Sequence, residues 1–296
     1  MFRPGRTLGS ARHGDIRAGA GAGAGAGADA DAGTPRAPSA PAILSAMVSA
    51  TFRFYEELND FLPAERRGQA FTCACAQAAT VKHMIEALGV PHTEVELVLV
   101  NGESVDFARP IHDGDRVAVY PRFETLDITP LLKVRAQPLR ALRFIADAHL
   151  GGLARLLRMS GFDTLYDNDF EDGQIASLAA AQQRIVLTRD RELLKRRIVS
   201  HGCYVHALKP ALQLRELFER LDLARSARPF TLCVHCNLPL HELDTELARA
   251  RVPPRAAWLY SRFLGCDACQ RIYWEGSHWR NMCALLGPLL ARAGDG

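Results

Sequence analysis

Apolar positions change period along this chain, and the changes divide it. From about 50 to 122 the runs are short. TFRFY and FTCAC read as strands, and TVKHMIEALGV places Val81, Met84, Ile85 and Leu88 on one helical face. Thr80 is a candidate N-cap and Gly89 a helix stop. VELVLVNG and DGDRVAVYP come next as strands, with turns at Asn101–Gly102 and at the DG pair. Strand, strand, helix, strand, strand is a β-grasp order. From about 140 to 225 the strands become nearly continuous apolar runs, LRFIA, DTLY, RIVLT and CYVHAL, as expected for strands buried on both faces. Helical patterns separate them: GGLARLLRMSG, the segment from Asp172 to Arg184, DRELLKRRIVSHG and LQLRELFERLDL. In the first, Leu150, Leu153, Leu156 and Leu157 are predicted to face the sheet and Arg155 and Arg158 to face out. Repeated βα units predict an α/β fold with a parallel, doubly wound sheet.

Composition sets the limits. Residues 1–46 are an alternating Gly-Ala tract followed by ADADAGTPRAPSAPA, which has nothing large to bury and is expected to be disordered. It has neither an apolar core nor an amphipathic arginine face to mark a targeting peptide. Met47 opens MVSATFRFYEEL, which reads as the natural start of a domain, so the tract is a candidate upstream extension. The expected organisation is therefore a disordered tract at 1–46, a β-grasp domain at 47–124, an α/β domain at 140–226 and a cysteine-bearing segment at 228–290. No apolar stretch approaches the roughly 18 to 20 residues of a membrane span. The formal net charge of +3 permits nucleic-acid binding without arguing for it. Eight cysteines, with two CxxC pairs and no secretory signal, favour metal ligation in a reducing, cytoplasmic setting over disulfides.

Two groups of residues carry candidate chemistry. LRFIAD closes on Asp147, TLYDND reaches Asp167 and Asp169, and RIVLTRD closes on Asp190. Ligands of open α/β sheets bind at the carboxyl ends of the strands, and carboxylates placed together repel unless a divalent cation lies between them. The pattern points to metal-dependent phosphodiester chemistry. Thr188 and Arg189 share this edge, and Thr188 is placed to fix an acid or a water. Asp172 and Asp190 each have a plainer alternative as helix caps. The second group is CVHC at Cys233 and Cys236 with CDAC at Cys266 and Cys269, two knuckles that complete a four-thiolate zinc ribbon with an insertion between them. His235, His241 and Cys283 are possible substitutes. A closed thiolate set leaves no open position on the metal, so the zinc is expected to be structural. Arg155, Arg158, Arg189, Arg191, Lys195, Arg196 and Arg197 are candidates for an anionic-polymer track. Arg271, Tyr273, Trp274, His278, Trp279 and Arg280 interleave bases and aromatics in the manner of single-strand binding surfaces, with a ribbon core as the alternative for the tryptophans.

The stretch FIADAHLGGLARLLRMSGFDTLYDNDFEDGQIASLAAAQQRIVLTRDREL, followed by CVHC and CDACQRIYWEGSHWRNM, resembles the Mut-seven C-terminal ribonuclease family, a branch of the PIN-like nucleases. The unit in front, from VKHMIEALGVPHTEVELVLVNG to DGDRVAVYP, resembles the ubiquitin-like sulfur carriers. Some members of the ribonuclease family carry such a domain in this position. The resemblance implies a PIN-like sheet, an N-terminal ubiquitin-like β-grasp domain and a C-terminal zinc ribbon. It implies ribonuclease activity with Mg²⁺ or Mn²⁺ held by Asp147, Asp172 and Asp190, with Asp169 as a fourth candidate and Asp167 a weaker one. RNA is the implied substrate, with Arg155, Arg158, Arg189, Lys195 and Trp279 as candidate contacts. The β-grasp domain is a candidate for a protein partner. Sulfur-carrier chemistry is disfavoured, because the last strand of the unit runs on into PRFETLDITP instead of a Gly-Gly tail. The alternative function is a non-catalytic RNA-binding adaptor built on a degenerate nuclease fold.

Overall fold

The structure is a computed structural model and describes residues 47–121, 133, 134 and 142–291. The expectations for the tract 1–46 and for the segment joining the first two domains lie outside these residues. All of the described residues belong to one compact unit.

The first sheet contains β1 (Met47–Phe54), β2 (Phe71–Ala76), β3 (Leu97–Val100), β4 (Glu103–Ser104) and β5 (Arg116–Tyr120), in the order β2-β1-β5-β3-β4. Its central pair, β1 and β5, is parallel and the other pairings are antiparallel. Helix α1 (Val81–Ala87) lies between β2 and β3 in sequence, and the Thr80 hydroxyl accepts from the His83 amide at 3.2 Å to start it. Val81, Met84 and Ile85 enter a core with Phe52, Phe54, Val98 and Val119, drawn from one face of the pleat. Asn101 and Gly102, both at positive φ (54° and 89°), turn β3 into β4, a conformation that Asn-Gly adopts at little cost. This is a ubiquitin-like β-grasp.

The second sheet is wholly parallel: β6 (Phe144–Ala146), β7 (Thr164–Leu165), β8 (Ile185–Thr188) and β9 (Gly202–Tyr204), in the order β7-β6-β8-β9. Helices α2 (Gly151–Met159), α3 (Asp172–Gln182), α4 (Arg191–Lys195) and α5 (Pro210–Arg220) connect and follow the strands. Alternation along β6 explains why both faces are covered. Phe144 and Ala146 pack with Leu153, Leu157, Leu214 and Leu217 from α2 and α5, while Ile145 packs with Ile175, Ala179, Leu193 and Leu194 from α3 and α4. The chain goes from β6 out to β7 and then crosses back to β8, so the strand order reverses between β6 and β8. Helix α4 is shorter than its pattern predicts. The backbone leaves it at Arg196 (φ −58°, ψ 130°), and the following turn brings Val199 into the core beside Leu193 and Leu194.

The third sheet is a small antiparallel one, β10 (His241–Glu242), β11 (Leu264–Gly265) and β12 (Ile272–Tyr273). Between β10 and β11 the insertion folds as α6 (Thr245–Arg249) and α7 (Pro254–Leu259). The closing helix α8 (Ser277–Ala291) packs Leu286 and Leu289 into the α2–α5 side of the parallel sheet's core.

The β-grasp also grips the parallel sheet. Glu94, in the 3₁₀ turn His92–Glu94, accepts from the Tyr204 amide on β9 and pairs with Arg220 of α5. Nε2 of buried His92 lies 2.9 Å from the carbonyl of Val199, and its Nδ1 lies 2.7 Å from Glu86. Arg191 of α4 donates to the Phe61 carbonyl and sits over the rings of Phe61 and Tyr204. The charge on Glu94 is almost fully buried, and removing one partner of such a pair typically costs about 3–5 kcal/mol.

Candidate active site and metal centre

Asp147 and Asp190 stand at the carboxyl ends of β6 and β8, where the strand order reverses, and Thr188 joins them. In the β6–β8 pairing Ala146 is opposite Leu187, which puts Asp147 beside Thr188. The Thr188 hydroxyl is fully buried and donates to Oδ2 of Asp147, while its oxygen accepts from the Asp190 amide at 2.9 Å. Each acid also caps the helical turn that begins after it. Asp147 Oδ1 accepts from the Ala148 amide at 2.6 Å, and Asp190 Oδ1 accepts from Glu192 at 2.8 Å at the start of α4. The imidazole of His149, which is exposed, approaches Asp147 Oδ2 to 3.4 Å.

Asp172 is the first residue of α3 but not its cap. That role falls to Glu171, whose amide donates to the Gln174 side chain at 2.9 Å. Freed from capping, Asp172 pairs with Arg196 at 3.3 Å, about half-exposed on both sides. Asp167 and Asp169 lie beyond the end of β7 in a local turn, where the Asp169 amide donates to Asp167 Oδ1. Asp147, Asp172 and Asp190 do not come together as one ligand cluster. Among the described residues the only group of three or more metal-type ligands is Cys233, Cys236, Cys266 and Cys269, whose sulfurs all lie within 4.8 Å of one another.

That cluster has the donor set of a zinc ribbon and could hold zinc. The Cys236 amide points at the Cys233 sulfur (3.4 Å) and the Tyr273 hydroxyl lies 3.2 Å from it. Burial raises the Cys233 thiol, but these contacts outweigh it and bring the group down to about 7. Burial and then the crowding of neighbouring thiols push Cys236 up to about 12. Four sulfurs this close cannot all ionise without a cation among them. Of the possible substitutes, Cys283 is exposed and outside the cluster, and His241 pairs with Asp267.

The basic residues separate into different roles. Arg158 does not face out. It is 5% exposed, with Nε donating to the Thr164 carbonyl and Nη1 to those of Val234 and His235, so it clamps the first cysteine knuckle to the parallel sheet. Burial lowers its pKa, and the nearby cysteine sulfurs oppose that. The sequence pattern misplaces Arg158 because two of its three carbonyl partners, Val234 and His235, lie more than 70 residues away. Arg189 donates to the Ala207 carbonyl at 3.3 Å, and Lys195 is held by Glu192 at 2.8 Å. Trp279 stacks on Phe230 with centroids 3.7 Å apart, so one of its faces is already covered. Arg155 is exposed. Sequence reasoning missed a second tie between sheet and knuckle, in which Asp163 takes a bidentate pair from Arg184 at 2.8 Å and a further bond from Asn237. Burial alone would raise the Asp163 carboxyl, but Arg184 and Asn237 hold it below the ordinary range.

A parallel sheet with acids at its switch point, tied to a four-cysteine ribbon and preceded by a β-grasp, defines a class of multidomain nuclease-like proteins. Comparison with protein families agrees. The Mut7-C RNAse domain matches residues 142–286 and the Mut7-C ubiquitin domain matches residues 47–127. The chain therefore carries a Mut7-C RNAse domain with a Mut7-C ubiquitin domain in front of it. Among solved structures, two crystal structures of the small archaeal modifier protein 1 of Haloferax volcanii are similar at 20% identity, over 26% of this chain and 99% of that one. Their TM-score against this chain is 0.22. No curated protein matches the chain.

Proposed function

We propose that the chain is a metal-dependent ribonuclease that hydrolyses RNA phosphodiester bonds at the edge formed by Asp147 and Asp190. The observation that supports this reading above others is the joining of these two acids through the buried Thr188 hydroxyl at the strand-order reversal. Their oxygens are the hard donors that Mg²⁺ or Mn²⁺ takes, with water completing the shell. A cation bound there would lower the pKa of a water and offset charge on the phosphate. The chain's own residues prepare the edge: Thr188 and His149 both approach Oδ2 of Asp147, and Arg196 pairs with Asp172. Asp169 is a further acid within the same loop region. The cysteine cluster would hold a structural Zn²⁺ that keeps the ribbon folded beside α2. The β-grasp domain is also a candidate surface for a protein partner.

One observation favours the second reading, a non-catalytic RNA-binding adaptor. The three acids do not gather as one ligand set, and both oxygens of Asp147 already have partners. Cleavage of end-labelled single-stranded RNA by the pure chain in limiting Mn²⁺ separates the two. Asp190→Asn is expected to slow cleavage by more than about 100-fold, beyond what changes around a metal's ligands usually produce. Asp147→Asn is expected to behave alike. A well-folded Asp190→Asn protein that cleaves at the unaltered rate would overturn the mechanism. A wild-type chain that binds RNA without cutting it would support the adaptor.

A further inference from the structure

Helix α2 presents Gly152, Arg155, Leu156 and Met159 along one face, at helical spacings of three, four and seven. This face is one wall of a groove of about 490 Å³. The opposite wall is Val234 and His235 of the first cysteine knuckle, Arg271 beside β12, and His278 and Met282 of α8. At one end Gly152 meets Pro210, so closely that a Cβ on Gly152 would stand 2.6 Å from the proline ring. Gly152 comes six residues after β6 and Pro210 begins the helix after β9. This end therefore lies at the carboxyl edge of the sheet, where Asp147 and Asp190 are.

The chemistry of the groove is divided. Its floor is apolar: Leu156, Val234 and Met282 are partly exposed there, over Met159, which is buried beneath them. Its rim is cationic and lacks any carboxylate. Arg155 and Arg271 are exposed and, among the described residues, neither has a carboxylate partner. Most other arginines around the sheet are already engaged: Arg158, Arg184, Arg189, Arg191, Arg196 and Arg220 all have protein partners. An apolar floor under unpaired guanidinium groups complements a ligand that is flat and apolar on its face and anionic along its side. That is an unpaired nucleotide.

We infer that this groove holds the unpaired nucleotides of the RNA strand next to the bond being cut, with bases against the Leu156–Met282 floor and phosphates on Arg155 and Arg271. The identity of the polymer rests on the proposed ribonuclease activity. From Gly152 to Met159 the helix rises about 10 Å, so the groove leads the strand from the acids toward the ribbon. No donor or acceptor pattern reads a base edge on the floor, so binding is tolerant of sequence but selective for single strands over duplex. The zinc ribbon then forms half of the substrate track as well as a folded appendage.

The test is binding by the full-length chain of a fluorescent single-stranded 12-nucleotide RNA, without added Mg²⁺ or Mn²⁺, followed by anisotropy across a salt series. The doubly substituted Arg155→Ala, Arg271→Ala protein is expected to bind at least tenfold more weakly. Its log-log salt slope should fall by about 1.4, the loss of two phosphate contacts on a single strand. In the unaltered chain, a 4-thiouridine probe should crosslink to the peptides containing Leu156 and Met282. Unchanged affinity and slope in the double variant would overturn the inference, as would wild-type protein that fails to bind or crosslinks elsewhere only. The ribonuclease reading is judged separately by cleavage in Mn²⁺. A chain that cuts RNA but binds it independently of Arg155 and Arg271 removes the groove alone. One that binds through them without cutting removes the catalytic reading alone.

Discussion

The cysteine cluster and the acid edge are both candidate metal sites, yet the fold prepares them differently. Each CxxC knuckle brings two sulfurs together within four residues, so the chain needs only to bring two knuckles face to face. The acids come from three separate strand-to-helix junctions, and each is stabilised locally: Asp147 and Asp190 by caps, Asp172 by Arg196. Ligands that a fold gathers in this way suit an ion that holds structure. Acids that already have protein partners would have to exchange some of them for a cation that comes and goes with substrate, as the proposed chemistry requires.

Breaking the gathered site should have the largest effect on the fold. Cys266→Ser is expected to lower zinc from one per chain, measured by mass spectrometry of metals, and to open the segment from 228 to 276 to limited proteolysis, since binding and local folding are coupled. Full zinc occupancy in a chain lacking both Cys266 and Cys269 would count against the assignment.

The clamp between the two regions comes next. Arg158→Met keeps much of the side-chain volume but leaves three carbonyls without a donor, a loss of about 2–4 kcal/mol visible in the urea midpoint. Because Arg158 contacts carbonyls and not solvent, the salt slope of RNA binding should not change. A reduced slope with unaltered stability would mean that this guanidinium reaches phosphate after all.

The smallest effect concerns Asp163. Its folded pKa lies below the ordinary value, so its contribution is complete above about pH 4 and is lost as the pH falls through the folded value. Asp163→Asn should therefore be less stable than the unaltered chain at pH 7, and the gap should narrow in the acid range. A gap that stays constant from pH 7 to pH 3 would show that the pairing with Arg184 is not what stabilises this junction.

How much could be read from sequence depends on how local each signal is. The β-grasp order, the Thr80 cap, the four parallel strands and both cysteine knuckles depend on spacing within a few residues, and the structure has them all. Thr188 was legible as a partner for an acid because it shares a strand end with Asp190. Arg158, Asp163 and Glu94 were not, since each has a partner far along the chain, at 76, 74 and 126 residues respectively. A helix face that ends in arginine looks solvated until the carbonyls it meets are known. Helix α4 stopped early for a similar reason: the burial of Val199 in a tertiary core overrode the local helical pattern.

The grip of Glu94 on β9 has one more consequence. Strand β9 is the edge of the parallel sheet, and an edge strand carries backbone groups that can pair with another molecule. The carboxylate of Glu94 takes the amide of Tyr204, while Thr93 lies against Gly202. The ubiquitin-like domain thereby blunts the edge at which neighbouring copies could stack strand on strand. Without the His92–Glu94 turn, the Tyr204 amide on this edge would lose the carboxylate that accepts from it.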